Sequence, residues 1–227
     1  MRYEIQGETL PVVIMQLDEG ESIITEAGGM SWMSPNMEMT TTTGGGIGKM
    51  FGRALSGDTL FQNIYTAEGG PGMIACAATF PGCIKEFQIT PDNPMIFQKS
   101  SFLCSEDSVR FSIFFQKKFG AGLFGGEGFI LQKLEGEGLC FGEFNGHLLE
   151  YELGPGEEII VETGNLAAMT ASCDMNIITV KGLKNKFFGG EGFFNTKITG
   201  PGRVWVQSMS PQEMANALAR FLPSSNS

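Results

Sequence analysis

The sequence predicts an all-β protein built from three repeated sheet units and closed by one short α-helix. Three observations carry that expectation. First, a glycine-acid turn occurs in near copies, Leu123-Phe124-Gly125-Gly126-Glu127-Gly128-Phe129 and Phe187-Phe188-Gly189-Gly190-Glu191-Gly192-Phe193, with a worn version at Leu55-Ser56-Gly57-Asp58-Thr59-Leu60. Second, a short apolar strand precedes each copy: Ser22-Ile23-Ile24-Thr25-Glu26, Met95-Ile96-Phe97-Gln98 and Glu158-Ile159-Ile160-Val161-Glu162. The two landmarks keep the same order three times, at a period longer than ordinary solenoid repeats, so three similar sheets related by a pseudo-threefold axis are expected in one body. Third, 32 Gly and 10 Pro punctuate a chain that is still 42% hydrophobic, which suits many short strands joined by tight turns.

The first unit, residues 1–80, opens with Tyr3-Glu4-Ile5 and an apolar stretch over 11–17 that stops at Asp18-Glu19-Gly20-Glu21. Alternating apolar residues Met30, Trp32, Met37 and Met39 read as half-buried strand. Residues 40–48, almost all Thr and Gly, read as a loop that packing does not pin. Strands follow over 59–66 and 73–80, and Pro81-Gly82 turns the chain into the second unit, 81–145. There residues 86–90 alternate cleanly, and residues 109–116 are apolar enough for the centre of a sheet, ending at Lys117-Lys118. Phe144-Asn145-Gly146-His147 reads as a two-residue hairpin turn, because Asn-Gly accepts positive φ at both positions. The third unit, 146–209, repeats the plan and closes with Val204-Trp205-Val206-Gln207.

Only the end reads as helical. Ser210-Pro211-Gln212-Glu213 is a capping box with proline at the first helical position, and Met214, Ala217, Leu218, Phe221 and Leu222 recur at helical spacing. A helix over 210–222 is expected to lay this stripe on the β body or on a neighbouring subunit, with 223–227 as a loose tail.

Composition narrows the function. A net charge of −10 opposes attraction to nucleic acid. Cys76, Cys83, Cys104, Cys140 and Cys173 are odd in number and set among apolar or small residues, as reduced core thiols are. No apolar run is long enough for a membrane-spanning helix, and Met1-Arg2-Tyr3-Glu4-Ile5-Gln6 has the character of neither a signal nor a transit peptide, so a cytoplasmic protein is expected. His147, the single histidine, follows a turn where a surface role suffices. Histidine-rich metal sites, Cys-x-x-Cys zinc sites, phosphate-binding Gly-Lys-Ser/Thr loops and Gly-x-Ser-x-Gly elbows have no match. No catalytic residue, metal site or cofactor is assigned.

Two constellations remain. Asp58, Glu127 and Glu191 hold equivalent places in the repeated turns; they either converge on a hard cation or accept hydrogen bonds from the N–H groups of their own turns. Just before each turn lie basic residues, Lys49 and Arg53, then Lys117 and Lys118, then Lys181, Lys184 and Lys186, interleaved with apolar ones that include Phe124 and Phe187. Three equivalent loops would set a basic, apolar rim on an acidic body, fit for anionic head groups or an acidic protein partner. The alternative is a set of solvated lysines above core phenylalanines.

With these features in place, the chain from Tyr3 to about Leu222 resembles the altered-inheritance-of-mitochondria twenty-four family. Ser56-Gly57-Asp58-Thr59-Leu60-Phe61 and Gly125-Gly126-Glu127-Gly128 carry the resemblance most specifically. It implies a fold of the tryptophan RNA-binding attenuation protein-like class, a double-stranded β-helix of three structural repeats. It links mitochondrial relatives to inner-membrane organisation and brings no catalytic or ligand residues. The expectation is a non-enzymatic, homo-oligomeric scaffold or binding protein, acting at an anionic membrane surface or on a protein partner. Its alternatives are a small-ligand binder with a site within or between the sheets, and an enzyme using the repeated carboxylates.

Overall fold

The computed structural model describes residues 1–26, 28–43, 61–117, 128–179, 194–219 and 221. Strand β1 (Arg2–Gln6) leads into a first set of six, β2 (Val12–Leu17), β3 (Ser22–Glu26), β4 (Trp32–Met33), β5 (Met37–Thr43), β6 (Phe61–Ala67) and β7 (Gly72–Ala77). A second set follows: β8 (Gly82–Ile89), β9 (Met95–Gln98), β10 (Phe102–Glu106), β11 (Val109–Lys117), β12 (Phe129–Gly136) and β13 (Gly138–Asn145). The third is β14 (Leu148–Leu153), β15 (Glu158–Glu162), β16 (Leu166–Thr170), β17 (Asp174–Thr179), β18 (Phe194–Thr199) and β19 (Gly202–Gln207), before helix α1 (Pro211–Ala219). The protein is all-β with one short C-terminal helix.

Every pairing between these strands is antiparallel, and the pattern recurs with a step of six strands. In the first set β2 and β4 pair with β7 while β3 and β5 pair with β6. The same partners recur as β8 and β10 on β13 with β9 and β11 on β12, then as β14 and β16 on β19 with β15 and β17 on β18. Consecutive sets are joined by β3 with β10 and by β9 with β16.

These joints correct the expectation of one sheet per unit. The described strands form four sheets, in the orders β1-β2-β7-β4, β5-β6-β3-β10-β13-β8, β11-β12-β9-β16-β19-β14 and β15-β18-β17. Each six-stranded sheet takes three strands from one set and three from the next.

Core position follows from alternation. Val13, Met15 and Leu17 point inward from β2 to meet Ile23, Ile74, Leu103 and Phe141 in one cluster. Strand β9 is buried on both faces, which is why Met95-Ile96-Phe97 is unbroken apolar sequence. Its Phe97 joins Phe87, Phe144 and Trp205, with Phe87 edge-on to Phe97 at 5.0 Å and to Trp205 at 5.2 Å. Its Ile96 faces a third cluster with Leu131, Val161, Leu166 and Val204. All five cysteines are free thiols, and burial pushes the Cys104 and Cys140 thiols well up.

Four local expectations change. Thr40 to Thr43 belong to β5, where Thr40 faces Ile64 and Thr41 faces Asn63; the Thr41 hydroxyl donates to Asn63 Oδ1 at 3.0 Å. A run of β-branched threonines suits an edge strand without any apolar anchor. Residues 44–48 lie outside the described residues. Among the described strands β11 is an edge strand, not a central one. Its pairing shifts between Ile113 and Phe115, so Phe114 is the extra residue of a bulge and stands 44% exposed, with Arg110, Ser112 and Gln116 also facing out.

The Asn145-Gly146 turn does not make a hairpin. Strand β13 already has β8 on one side and β10 on the other, so β14 leaves to pair with β19 in another sheet. Gly146 does take a positive φ of 72°, and its N–H donates to Pro81 O at 2.8 Å. His147 is exposed there, its backbone N–H donating to Ser208 Oγ at 2.8 Å.

The capping box forms as read: Ser210 N–H donates to Glu213 Oε2 at 2.7 Å and Glu213 N–H donates to Ser210 Oγ at 3.1 Å. The apolar stripe, however, is not laid on the body. Leu218 is 56% and Phe221 86% exposed, while the start of the helix, at Pro211, Gln212 and Ala215, lines a cleft on the body. Leu222 and 223–227 lie outside the described residues. No helix among the described residues is long and apolar enough to cross a membrane.

Candidate functional site

Of the sequence-derived site residues, Lys49, Arg53, Lys118, Phe124, Lys184 and Phe187, with Lys181, Lys186 and the turn acids Asp58, Glu127 and Glu191, lie outside the described residues. Lys117 is the last residue of β11. The strand ends around these segments are described. Thr43 pairs with Phe61, Lys117 with Phe129 and Thr179 with Phe194. Each basic segment therefore connects the two strands of an antiparallel pair whose outer strand, β5, β11 or β17, is a sheet edge.

A different site takes shape where the first two strand sets meet beneath α1. Strand β3 ends at Glu26 and strand β9 at Gln98, followed by a 3-10 turn over Lys99–Ser101. Phe80 comes from the β7–β8 connection, Ile130 from β12, and Pro211, Gln212 and Ala215 from the start of the helix. Together they enclose a cleft of about 450 Å³. A second hollow of about 250 Å³ shares Glu26, Phe80, Ser100 and Pro211 with it and adds Thr79, Glu143 and Asn145, so the two are compartments of one cleft.

Its walls are apolar at Phe80, Ile130, Pro211 and Ala215, and Gln98, Lys99, Ser100, Gln212 and Glu143 are among its polar residues. Gln98 is 5% exposed, and its Oε1 has no hydrogen-bond partner among the described residues. A buried acceptor left unpaired costs on the order of 1–3 kcal/mol. Glu143 reaches in from β13; Thr79 N–H donates to its Oε2 at 2.6 Å and the Thr79 hydroxyl to its Oε1 at 3.3 Å. Burial pushes the Glu143 carboxyl pKa above the usual range, and the two Thr79 bonds only partly offset that. Lys99 is the basic residue on the described lining. A helix N-terminus ordinarily attracts anions. Here the Glu213 carboxylate accepts from Ser210 N–H, Glu213 N–H donates to Ser210 Oγ, and Pro211 has no N–H.

Sequence reasoning missed this cleft, which draws on six separate segments and no motif. Two residues hinted at it: Gln98, a polar end on an otherwise apolar buried strand, and Glu143, a carboxylate between Phe141 and Phe144.

Comparison with known proteins gives a consistent picture. The family model described as Mitochondrial biogenesis AIM24 matches residues 3–209. An uncharacterized protein of Streptococcus pyogenes serotype M6 is 26% identical over 235 residues, covering 100% of this chain and 93% of its own. A Streptococcus pyogenes protein solved by X-ray crystallography in a structural genomics programme superposes with a TM-score of 0.77 at 24% identity, covering 97% of this chain and 99% of its own, and so shares the fold.

Proposed function

We propose a binding function for this chain, which belongs to the mitochondrial biogenesis family AIM24: it holds a small, partly apolar ligand in the cleft between its first two strand sets. The observation that carries this reading is the cleft itself. Its 450 Å³ falls within the roughly 300–1,000 Å³ of small-molecule sites, and it joins apolar walls to a few convergent polar groups, as such sites do. No catalytic group is assigned to it; the single histidine, His147, is exposed and absent from its lining. The test is native mass spectrometry of gently purified protein beside an Ala215→Trp variant. Ala215 is exposed on the helix yet lines the cleft, so the indole fills the site without disturbing the core. A retained mass that disappears in the variant supports the reading; bare chains for both, or a mass kept by both, contradict it.

A second reading is contact with an anionic membrane surface through the three basic segments, by a cytoplasmic homo-oligomer. The register supports it, since Thr43–Phe61, Lys117–Phe129 and Thr179–Phe194 put these segments at equivalent places in the pairing pattern. Flotation with phosphatidylserine vesicles at low salt, lost on changing Lys117, Lys118, Lys184 and Lys186 to Glu, is the expected result. Protein left at the bottom of the gradient at every salt concentration removes this reading.

A further inference from the structure

We infer that copies of this chain join head to tail, the outer edge of β15 in one copy pairing with β4 of the next. The joint is independent of the cleft and of its ligand.

Two joints inside the chain show how one strand set receives the next. Strand β3 meets β10 with Ile24 opposite Ser105, and β9 meets β16 with Ile96 opposite Met169. In the first set β4 stands where β10 and β16 stand in theirs, and one hydrogen bond marks the register. Met73 N–H donates to Ser34 Oγ at 2.8 Å, Leu139 N–H to Glu106 Oε2 at 2.7 Å and Arg203 N–H to Thr170 Oγ1 at 3.0 Å. Met33, one residue before Ser34, therefore answers to Ser105 and Met169. In the third set β15 stands where β9 stands in the second. Ile96 and Ile160 each lie two residues before the residue that opens a 3-10 turn, Gln98 and Glu162. A third joint of the same kind would set Ile160 opposite Met33.

Exposure separates that third joint from the other two. Ile24 and Ile96 are buried, whereas Ile160 is 57% exposed. Cys104 and Ala168 are buried opposite Phe141 and Trp205, whereas Trp32, in the same place opposite Ala75, is 46% exposed. The face beside the joint follows suit. Met15 Sδ lies 3.9 Å from Cys104 Sγ and Phe87 packs edge-on to Trp205, each under the following set, while the equivalent Tyr151 of β14 is exposed. Ser34 N–H donates to Met73 O at 2.8 Å, so strand alternation turns the Met33 N–H and C=O away from β7. Among the described strands, β4 and β15 each end a sheet, and the two sheets are different ones. An exposed apolar strand at a sheet edge is a template for another chain. A second copy fits it, because its β4 offers the register that β10 and β16 already use. The two surfaces differ, so the contact is heterologous and repeats from copy to copy as a ring or a filament.

Trp32→Glu and Ile160→Glu each spoil one side of the joint and leave the other intact. Both positions are exposed, so each variant should melt where wild type does. Sedimentation velocity is run on wild type, on each variant and on their equimolar mixture. The mass of wild type should rise with concentration, and each variant alone should stay a single chain. Their mixture should recover a complex of two chains and stop there, since it holds one intact β4 edge and one intact β15 edge. A mixture that stays single-chain, or variants that associate as wild type does, would overturn the head-to-tail joint. Wild type that remains a single chain at every concentration would overturn it too; a lower melting temperature of Ile160→Glu would then show that β15 meets β4 within its own chain.

Discussion

Replacing Ser210 by Ala should release helix α1 locally while leaving the β body intact. The helix has nine residues and none of them is buried, so side-chain packing contributes little to it. A helix of that length is marginal in water on its own. What fixes it is the cap: Ser210 Oγ accepts from Glu213 N–H at 3.1 Å and donates to Glu213 Oε2 at 3.1 Å, beside the Ser210 N–H bond to the same oxygen at 2.7 Å. Ser210→Ala deletes the first two of these and keeps the third. Loss of a serine N-cap costs about 1 kcal/mol. Since 1.4 kcal/mol is tenfold, the open helix should become about fivefold more populated. Hydrogen exchange of the amides from Met214 to Ala219 is the assay, with about fivefold faster exchange expected there and none in β9 or β16. The urea midpoint should not move, and Ser210→Thr should restore protection. A urea midpoint that falls as far as for a core substitution would refute the reasoning, since it would make the helix part of the cooperative fold.

The remaining predictions concern the body. Gly82 opens β8 opposite Asn145, and a Cβ there would collide with the Phe144 carbonyl oxygen and lie 2.9 Å from its carbon and 3.0 Å from Gly146 N, all rigid backbone. Gly82→Ala should therefore cost about 3 kcal/mol in urea unfolding, and an unchanged midpoint would contradict the β8–β13 register. Phe97, 0% exposed, should cost about 3–5 kcal/mol as Ala, whereas bulged Phe114 should cost within about 0.5 kcal/mol; equal losses would sink the assignment of β11 to an edge. Glu143 has a folded pKa raised by burial, so the folded state holds its proton to higher pH than the unfolded chain does. Its charge then costs stability above that pKa, and the cost fades as pH falls through it. Glu143→Gln should accordingly melt higher than wild type near pH 7, with the two converging by about pH 4. A constant gap would mean the carboxyl is not desolvated.

What the sequence reveals is local and periodic. The apolar strands at Ile23, Met95 and Ile159 can be read because each side chain's inward position is set by its neighbours two residues away. Likewise, the Ser210-Glu213 cap is a contact across three residues, and it forms as read. Pairing over long range is a different matter. The alternation in 109–116 fits an edge or a central strand equally, and only the absence of a neighbour beyond β11 among the described strands decides between them. Asn145-Gly146 supplies a turn, but whether the strands on either side pair depends on β8 and β10 having already taken both edges of β13. Thr40 and Thr41 need no apolar pattern because they are exposed on an edge strand among those described. The helical stripe can be seen from spacing alone, whereas its exposure at Leu218 and Phe221 depends on where the sheets end. The cleft was the least legible feature, since Glu26, Phe80, Gln98, Ile130 and Ala215 come together only through tertiary contact.

Amide chemical-shift mapping during a titration with octanol, a small and partly apolar probe, tests the central claim most directly. The account predicts saturable shifts concentrated at Phe80, Gln98, Lys99, Ser100, Ile130, Gln212 and Ala215, around the 450 Å³ cleft, and lost in Ala215→Trp. Shifts spread over the acidic surface without saturation, or centred away from this junction of β3, β9 and α1, would contradict it.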